Sequence, residues 1–185
     1  MRYRLTVNLE NKTIDRSDLP EEAAWLGGRA LLDSILLAEV PPTCHPLGPY
    51  NKVIIAPGLF AGTTMPTAGR LSIGAKSPLT GGIKESNVGG MAGIVLGQLG
   101  IGAVVIEGGS SSQSLQVVVI RQDSTERVEA PELKGLGNYD TVAALKKRFG
   151  QKVVSISIGP CGEMKMAAAT VAVTDNDGRP CRHAG

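Results

Sequence analysis

The chain has 185 residues, of which 42% are hydrophobic and 19% charged, with a formal net charge of +2. That length suits one ordinary domain or two very small ones, and the apolar share supports a core, which excludes a wholly disordered chain. A charge this close to neutral leaves no electrostatic footprint for nucleic acid, and three scattered cysteines (Cys44, Cys161 and Cys181) exclude a disulfide scaffold.

The alternation over residues 4–9 predicts a half-buried strand. Asn11-Lys12 then turns it into a return strand around Thr13–Asp15. Ser17 or Asp18 is placed to cap a helix that has Pro20, Glu21 and Glu22 in its first turn and runs to Pro41-Pro42. Trp25 and Leu26 are expected to anchor that helix in the core. Strands follow at Lys52–Ala56 and Arg70–Lys76, the first ending on a Pro57-Gly58 turn. Glu85 and Glu107 enclose an uncharged stretch long enough to span a membrane, but its glycines, Asn87 and Gln98 fit a helix and a buried strand better. Val104–Glu107 and Leu115–Arg121 read as strands joined by a loop. A helix over Asp140–Phe149 closes at Gly150, and strands follow at Val153–Ile158 and Lys165–Thr174, with a Gly159-Pro160 turn between them. With no apolar leader at the N-terminus, the expectation is a soluble, cytoplasmic chain that meets no membrane.

Set side by side, the two halves suggest a duplication. Each holds paired strands, one helix, a strand, a turn with glycine and proline, and another strand. Strands grouped around one helix per half predict an α+β fold, a β-rich platform of two similar repeats.

The middle of the chain is dense in glycine: 14 of the 24 glycines fall between Gly58 and Gly109. Glycine weakens helices and strands, so this density calls for a reason. Turn chemistry in a many-stranded domain is one. A nest of backbone N–H groups around a phosphorylated ligand is the other, with Arg70, Lys76, Ser77, Thr80, Ser86 and Asn87 as side-chain partners. No P-loop or complete dinucleotide fingerprint is present.

Several motifs in this order carry a family resemblance: Leu26-Gly27-Gly28-Arg29, Pro46-Leu47-Gly48-Pro49-x-Asn51-Lys52, Ala68-Gly69-Arg70, Ala75-Lys76-Ser77-Pro78-Leu79-Thr80-Gly81 and Ser86-Asn87-Val88-Gly89-Gly90. Val105-Ile106-Glu107-Gly108, Ile158-Gly159-Pro160-x-Gly162-Glu163 and a C-terminal Asn176-Asp177-Gly178 with Arg182-His183-Ala184-Gly185 continue it. Together they resemble the N-terminal domain of the aldehyde ferredoxin oxidoreductases over the whole chain, residues 1–185. The resemblance implies a two-repeat platform under a tungsten- or molybdenum-bis-pterin cofactor. A [4Fe–4S] cluster, its ligands outside this chain, lies beside it, and magnesium bridges two pterin phosphates. It implies oxidation of aldehydes to carboxylic acids, with electrons leaving for ferredoxin or a similar carrier. Carried over, Arg70 lies between a pterin and the cluster, and Asn87 and Gly89 meet the pterin phosphate and the magnesium. Lys76, Ser77, Gly90 and Arg182 are further cofactor contacts by motif membership.

Family enzymes are longer, so the resemblance implies domains or a companion subunit beyond these residues, the chain being a truncated product, a split gene's product or a separate subunit. One pattern departs: Gly-Pro-Leu-Thr-Gly stands here as Gly58-Leu59-Phe60-Ala61-Gly62, with Pro57 ahead of the glycine. The alternative to an enzyme platform is a non-catalytic remnant, or a phosphate- or pterin-binding module that keeps only the fold. A metal site of Cys44, His45, Cys161, Cys181 and His183 lacks any Cys-x(2)-Cys spacing. Cys161 is instead expected as a small buried residue and the histidines as solvated loop residues.

Overall fold

A computed structural model describes residues 2–109 and 114–177, together with the backbone of the strand at 182–184. The side chains of Arg182 and His183, and Cys181 altogether, lie outside the described residues.

The alternating N-terminal segment forms β1 (Tyr3–Asn8), with Tyr3, Leu5 and Val7 buried. It pairs antiparallel with β2 (Thr13–Asp18), and the Asn8 carbonyl oxygen Oδ1 accepts the Glu10 and Asn11 N–H groups inside the turn. Because β2 runs to Asp18, Ser17 and Asp18 are ladder residues and not helix caps. Pro20 instead leads a 3-10 turn at Glu21–Ala23, and helix α1 spans Gly28–Glu39. Trp25, expected in the core, is 82% exposed on the turn between them, while Leu26 packs beneath α1.

The rest of the first repeat is β3 (Val53–Pro57), β4 (Leu71–Lys76), β5 (Ile83–Val88), helix α2 (Met91–Gln98) and β6 (Ile101–Glu107). They join one six-stranded sheet in the order β2-β1-β6-β3-β4-β5, in which only β1 and β6 run parallel. Helix α1 covers one face with Leu31, Leu32, Ile35 and Leu36 against Ile54, Ala56, Ala103 and Val105. Tyr3, Leu5, Val7, Leu71 and Val88 line the other, with Ala92 and Leu96 of α2. Covered on both faces, β6 is apolar in both phases of its alternation.

The second repeat contains β7 (Gln116–Ile120), β8 (Thr125–Glu129), a 3-10 turn at Pro131–Leu133, α3 (Asn138–Phe149), β9 (Ser155–Ser157), α4 (Gly159–Glu163), β10 (Val171–Thr174) and β11 (Arg182–Ala184). It repeats the hairpin, the 3-10 turn and the long helix of the first. Each 3-10 turn buries one apolar residue, Ala23 or Leu133, whose carbonyl accepts the N–H of Leu26 or Leu136 at 3.1 Å. Each precedes a helix of 12 residues. The hairpin of this repeat is β7–β8; β6, expected to pair with β7, lies between β1 and β3 instead. Two sheets result, β7-β8 and β11-β10-β9, which mirror β1-β2 and β5-β4-β3. Among the described residues nothing occupies, between β7 and β9, the position β6 takes between β1 and β3.

Val118, Ile120, Ile156 and Val171 pack from the second repeat against the first repeat's sheet, and Val173 is buried among them, so the repeats share a core face to face. Two further expectations change. Gly159-Pro160 opens the short helix α4, where proline suits the first turn, and β10 starts only at Val171. Cys161 lies exposed on α4.

Candidate cofactor-binding face

Antiparallel pairing of β4 with β5 sets Leu71 opposite Val88 and Ser72 opposite Asn87. Leu71 and Val88 point into the core, so alternation sends Arg70, Ser72, Asn87 and Gly89 to the other face of the sheet. The N-terminal end of α1 stands there. Arg29 donates from Nε to Oε2 of Glu85 at 2.8 Å, and a side chain on Gly28 would place its Cβ 3.4 Å from the Ser72 hydroxyl. A Cβ on Gly89 would lie 3.8 Å from Nη1 of Arg70. Three of the motifs separated in sequence (Leu26–Arg29, Ala68–Arg70 and Ser86–Gly90) thus meet at one end of the β4–β5 hairpin.

The backbone beneath Arg70 is held from several sides. Its carbonyl accepts the Gly58 N–H at 2.9 Å. Helix α2 lies so close that a Cβ on Gly93 would fall 2.8 Å from the same oxygen and 2.9 Å from the Gly69 carbonyl. Gly90 enters α2 at a φ of +123°, a region that disfavours side chains, and the Met91 N–H donates to Asp175 Oδ1 at 2.7 Å. Asp175 is buried and follows β10, so the second repeat holds the end of α2 that abuts the face. Much of the glycine density is therefore explained by contact with the chain's own backbone. Gly97, which would press a Cβ to 2.0 Å from the Ala61 carbonyl, is the tightest instance.

Among the described residues nothing accepts a hydrogen bond from the exposed Arg70 guanidinium, and Gly27 gives the α1 N-terminus no side-chain cap. Both are donors open to an anion. Beside them, Nδ2 of Asn87 donates to Ser72 Oγ at 2.9 Å and to Glu85 Oε1 at 3.0 Å. The Glu85 side chain is only 6% exposed. Burial pushes its carboxyl up, but hydrogen bonds from Ser72, Asn87 and Arg29, with the Arg29 charge, outweigh this and hold it below the usual range. Next along α1, burial and the charge of Glu85 push Asp33 up against the opposing pull of Arg29.

The other nominated residues lie elsewhere. Lys76 ends β4 and Ser77 follows it, about 20 Å from Arg70 at the rise of a strand. The Lys76 ammonium donates to the Cys44 carbonyl at 2.7 Å and to that of Pro42, and the Ser77 hydroxyl accepts the N–H groups of Leu79 and Thr80. Asn51 exchanges hydrogen bonds with the Lys76 backbone, donating at 2.9 Å and accepting at 3.1 Å. The Asn51-Lys52 and Ala75–Gly81 motifs thus staple the loop after α1 to the sheet. Arg182 sits in β11, opposite Val173, and β11 packs along β5. The sequence does not single out Ser72, Glu85, Arg29 and Asp175 for this face, since only the hairpin register and the helix docking bring them together. Among the described residues no group of three His, Cys, Asp or Glu could hold a metal ion, and no helix is long and apolar enough to cross a membrane.

The chain is similar to known proteins over most of its length. Residues 4–185 match the family described as aldehyde ferredoxin oxidoreductase, N-terminal domain. The chain is 41% identical over 177 residues to the tungsten-containing aldehyde ferredoxin oxidoreductase of Thermococcus kodakarensis, and 39% identical over 177 residues to that of Pyrococcus furiosus. Each match covers 94% of this chain and 28% of the relative, so the chain spans little more than a quarter of their length. Among solved structures, the active site complex BamBC of benzoyl coenzyme A reductase, in complex with 1,5-dienoyl-CoA, superposes over 99% of this chain and 28% of its own, with a TM-score of 0.88 at 28% identity. The chain belongs to the aldehyde ferredoxin oxidoreductase family, where it corresponds to the N-terminal domain.

Proposed function

We propose that this chain is the cofactor platform of a tungsten- or molybdenum-pterin oxidoreductase, and that the pterin phosphates rest on the face formed by Arg70, Asn87, Gly89, Gly90 and the start of α1. The observation that carries the reading is the convergence of an uncommitted guanidinium, an uncapped helix N-terminus and an outward amide oxygen at one hairpin end. That donor set fits the group: phosphate needs N–H donors and positive charge, and a bridging magnesium takes oxygen ligands. Arg182, whose strand packs along β5, belongs to the same proposal, while Lys76 and Ser77 serve the platform from a distance.

When bound, such a cofactor supplies the two-electron chemistry by which an aldehyde and water become a carboxylic acid, two protons and two electrons. The electrons would leave through a [4Fe–4S] cluster to a ferredoxin-like carrier, both outside this chain. What these residues do is bind and orient. Arg70 neutralises phosphate charge, the Gly89-Gly90 backbone allows close approach, and Gly58 and Gly93 fix where Arg70 starts. The same platform in a benzoyl coenzyme A reductase complex supports a role in carrying the cofactor over one in choosing the substrate. Substrate walls then belong to further domains or a companion subunit.

The test is Arg70→Ala in the assembled protein, read as tungsten or molybdenum and pterin retained per polypeptide. A fall of about tenfold is expected for loss of one charge-assisted phosphate contact. Unchanged cofactor content would remove this face from the site.

A further inference from the structure

Two helices begin beside the candidate face, and the chain treats their N-termini differently. Helix α1 starts after Gly27 with no side-chain cap. Helix α2 starts after Gly89-Gly90, a glycine-led entry of the kind that seats an anion on backbone donors. That seat is already taken. The Met91 N–H donates to Asp175 Oδ1 at 2.7 Å, and the carboxylate comes from the other repeat, 84 residues further along the chain. A cap cannot come from the usual position, because Gly90 has a φ of +123°, where the capping residues serine and aspartate would be strained. Asp175 is only 4% exposed. Burying a carboxylate is costly unless donors and positive potential surround it, and a helix N-terminus supplies both. The segment that carries Arg70 abuts the same turn, since a Cβ on Gly69 would fall 2.8 Å from the Gly90 carbonyl.

We propose that Asp175 is an internal anion that fills the N-terminus of α2 and so determines where a phosphorylated ligand binds. Of the two helix ends beside this face, α2's is closed and α1's is left open. The proposal rests on the reading of this face as a phosphate site. The charge of Asp175 does more here than its hydrogen bond. Any acceptor would satisfy the Met91 N–H, whereas a full negative charge also repels phosphate from the start of α2, leaving it to Arg70 and the start of α1. The second repeat thereby sets the specificity of a site whose donors all belong to the first.

Asp175→Asn is the discriminating variant, because it keeps the shape and an acceptor oxygen for Met91 and removes the charge. Backbone amides are followed in nitrogen-15 spectra while inorganic phosphate is added to the 185-residue chain at constant ionic strength. In wild type the amides of Gly28 and Arg29 are expected to shift and those of Met91 and Ala92 to stay in place. In D175N the Met91 and Ala92 amides should move with phosphate, and the affinity should rise about fivefold for one like charge removed. Asp175→Ala frees the Met91 donor as well and should give larger shifts at the same two amides. A merely structural cap predicts another pattern, in which D175N responds to phosphate as wild type does.

Phosphate shifts at Met91 in the wild-type chain, or a D175N response indistinguishable from wild type, overturn the proposal. Failure of the phosphate reading is seen separately. Gly28 and Arg29 then ignore phosphate in every form, and Arg70→Ala leaves cofactor retention unchanged, while a new Met91 response in D175N still supports the role of Asp175.

Discussion

Glu39 offers a direct measure of how the first repeat is tied together. It ends α1, and its carboxylate receives Lys52 Nζ at 2.6 Å and Arg4 Nη2 at 2.8 Å, with Arg4 Nη1 on the second oxygen. Lys52 also reaches Glu107 Oε2 at 2.6 Å, so a single charge cluster joins the helix to β1, β6 and the residue before β3. Burial pushes the Glu39 carboxyl up, but the hydrogen bonds and charges of Arg4 and Lys52 outweigh this and hold it at about 2, against an ordinary 4.5. A lowering of that size corresponds to ~3 kcal/mol. With the side chain 29% exposed, solvent screening reduces the usable part to about 1–2 kcal/mol. A depressed carboxyl stabilises the fold above its unfolded value, and that stability drains away as the pH falls from 4.5 toward 2. The assay is urea unfolding of wild type and Glu39→Gln at about pH 7 and about pH 3. At neutral pH the variant should be less stable by about 1–2 kcal/mol, and the gap should narrow in acid, since the remaining carboxylates are common to both proteins. A gap of the same size at both pH values would refute the reasoning.

Three further outcomes follow from the packing. Gly93→Ala should cost about 1–3 kcal/mol in urea unfolding, because its Cβ would press on two carbonyl oxygens, whereas Gly82→Ala, which meets nothing within 4 Å, should stay within about 0.5 kcal/mol. Asp175→Ala should cost about 1–2 kcal/mol and speed hydrogen exchange at the Met91 amide, which loses its acceptor. Lys76→Ala should lower stability by about 1 kcal/mol through the loop carbonyls it holds. Cofactor retention should be unchanged, the opposite of the outcome for Arg70→Ala.

Periodicity makes most elements legible. The alternation of Tyr3–Asn8 and the helical spacing of α3 are local signals, and the structure follows both closely. Misreadings arise where a local signal competes with a longer-range one. Ser17 and Asp18 are good caps, but ladder pairing with Arg4 and Tyr3 extends β2 through them. Thr125–Glu129 is too charged to announce itself as a strand and is held as β8 by its partner β7. Trp25 is an anchor by residue type, yet the turn it occupies faces solvent. For the face itself, the motifs identify Arg70, Asn87 and Gly89. They do not separate these from Lys76 and Ser77, since a strand's length of backbone divides the two groups and only the register of β4 reveals it. Glu85 and Ser72 are hidden for the same reason: alternation puts them beside Asn87 only once the hairpin is aligned.

Among the described residues β7 pairs only with β8, which bears on how this polypeptide behaves in solution. The flanks of the first sheet are guarded: β2 presents Asp15, Arg16 and Asp18, and β5 presents Lys84. Val117, Val118 and Val119 run along β7 with far less charge, and one row of its peptide groups has no ladder partner among the described residues. An unpaired strand margin is a template for an extended segment of another molecule. Pairing of that kind grows with concentration, so dilution favours the single chain.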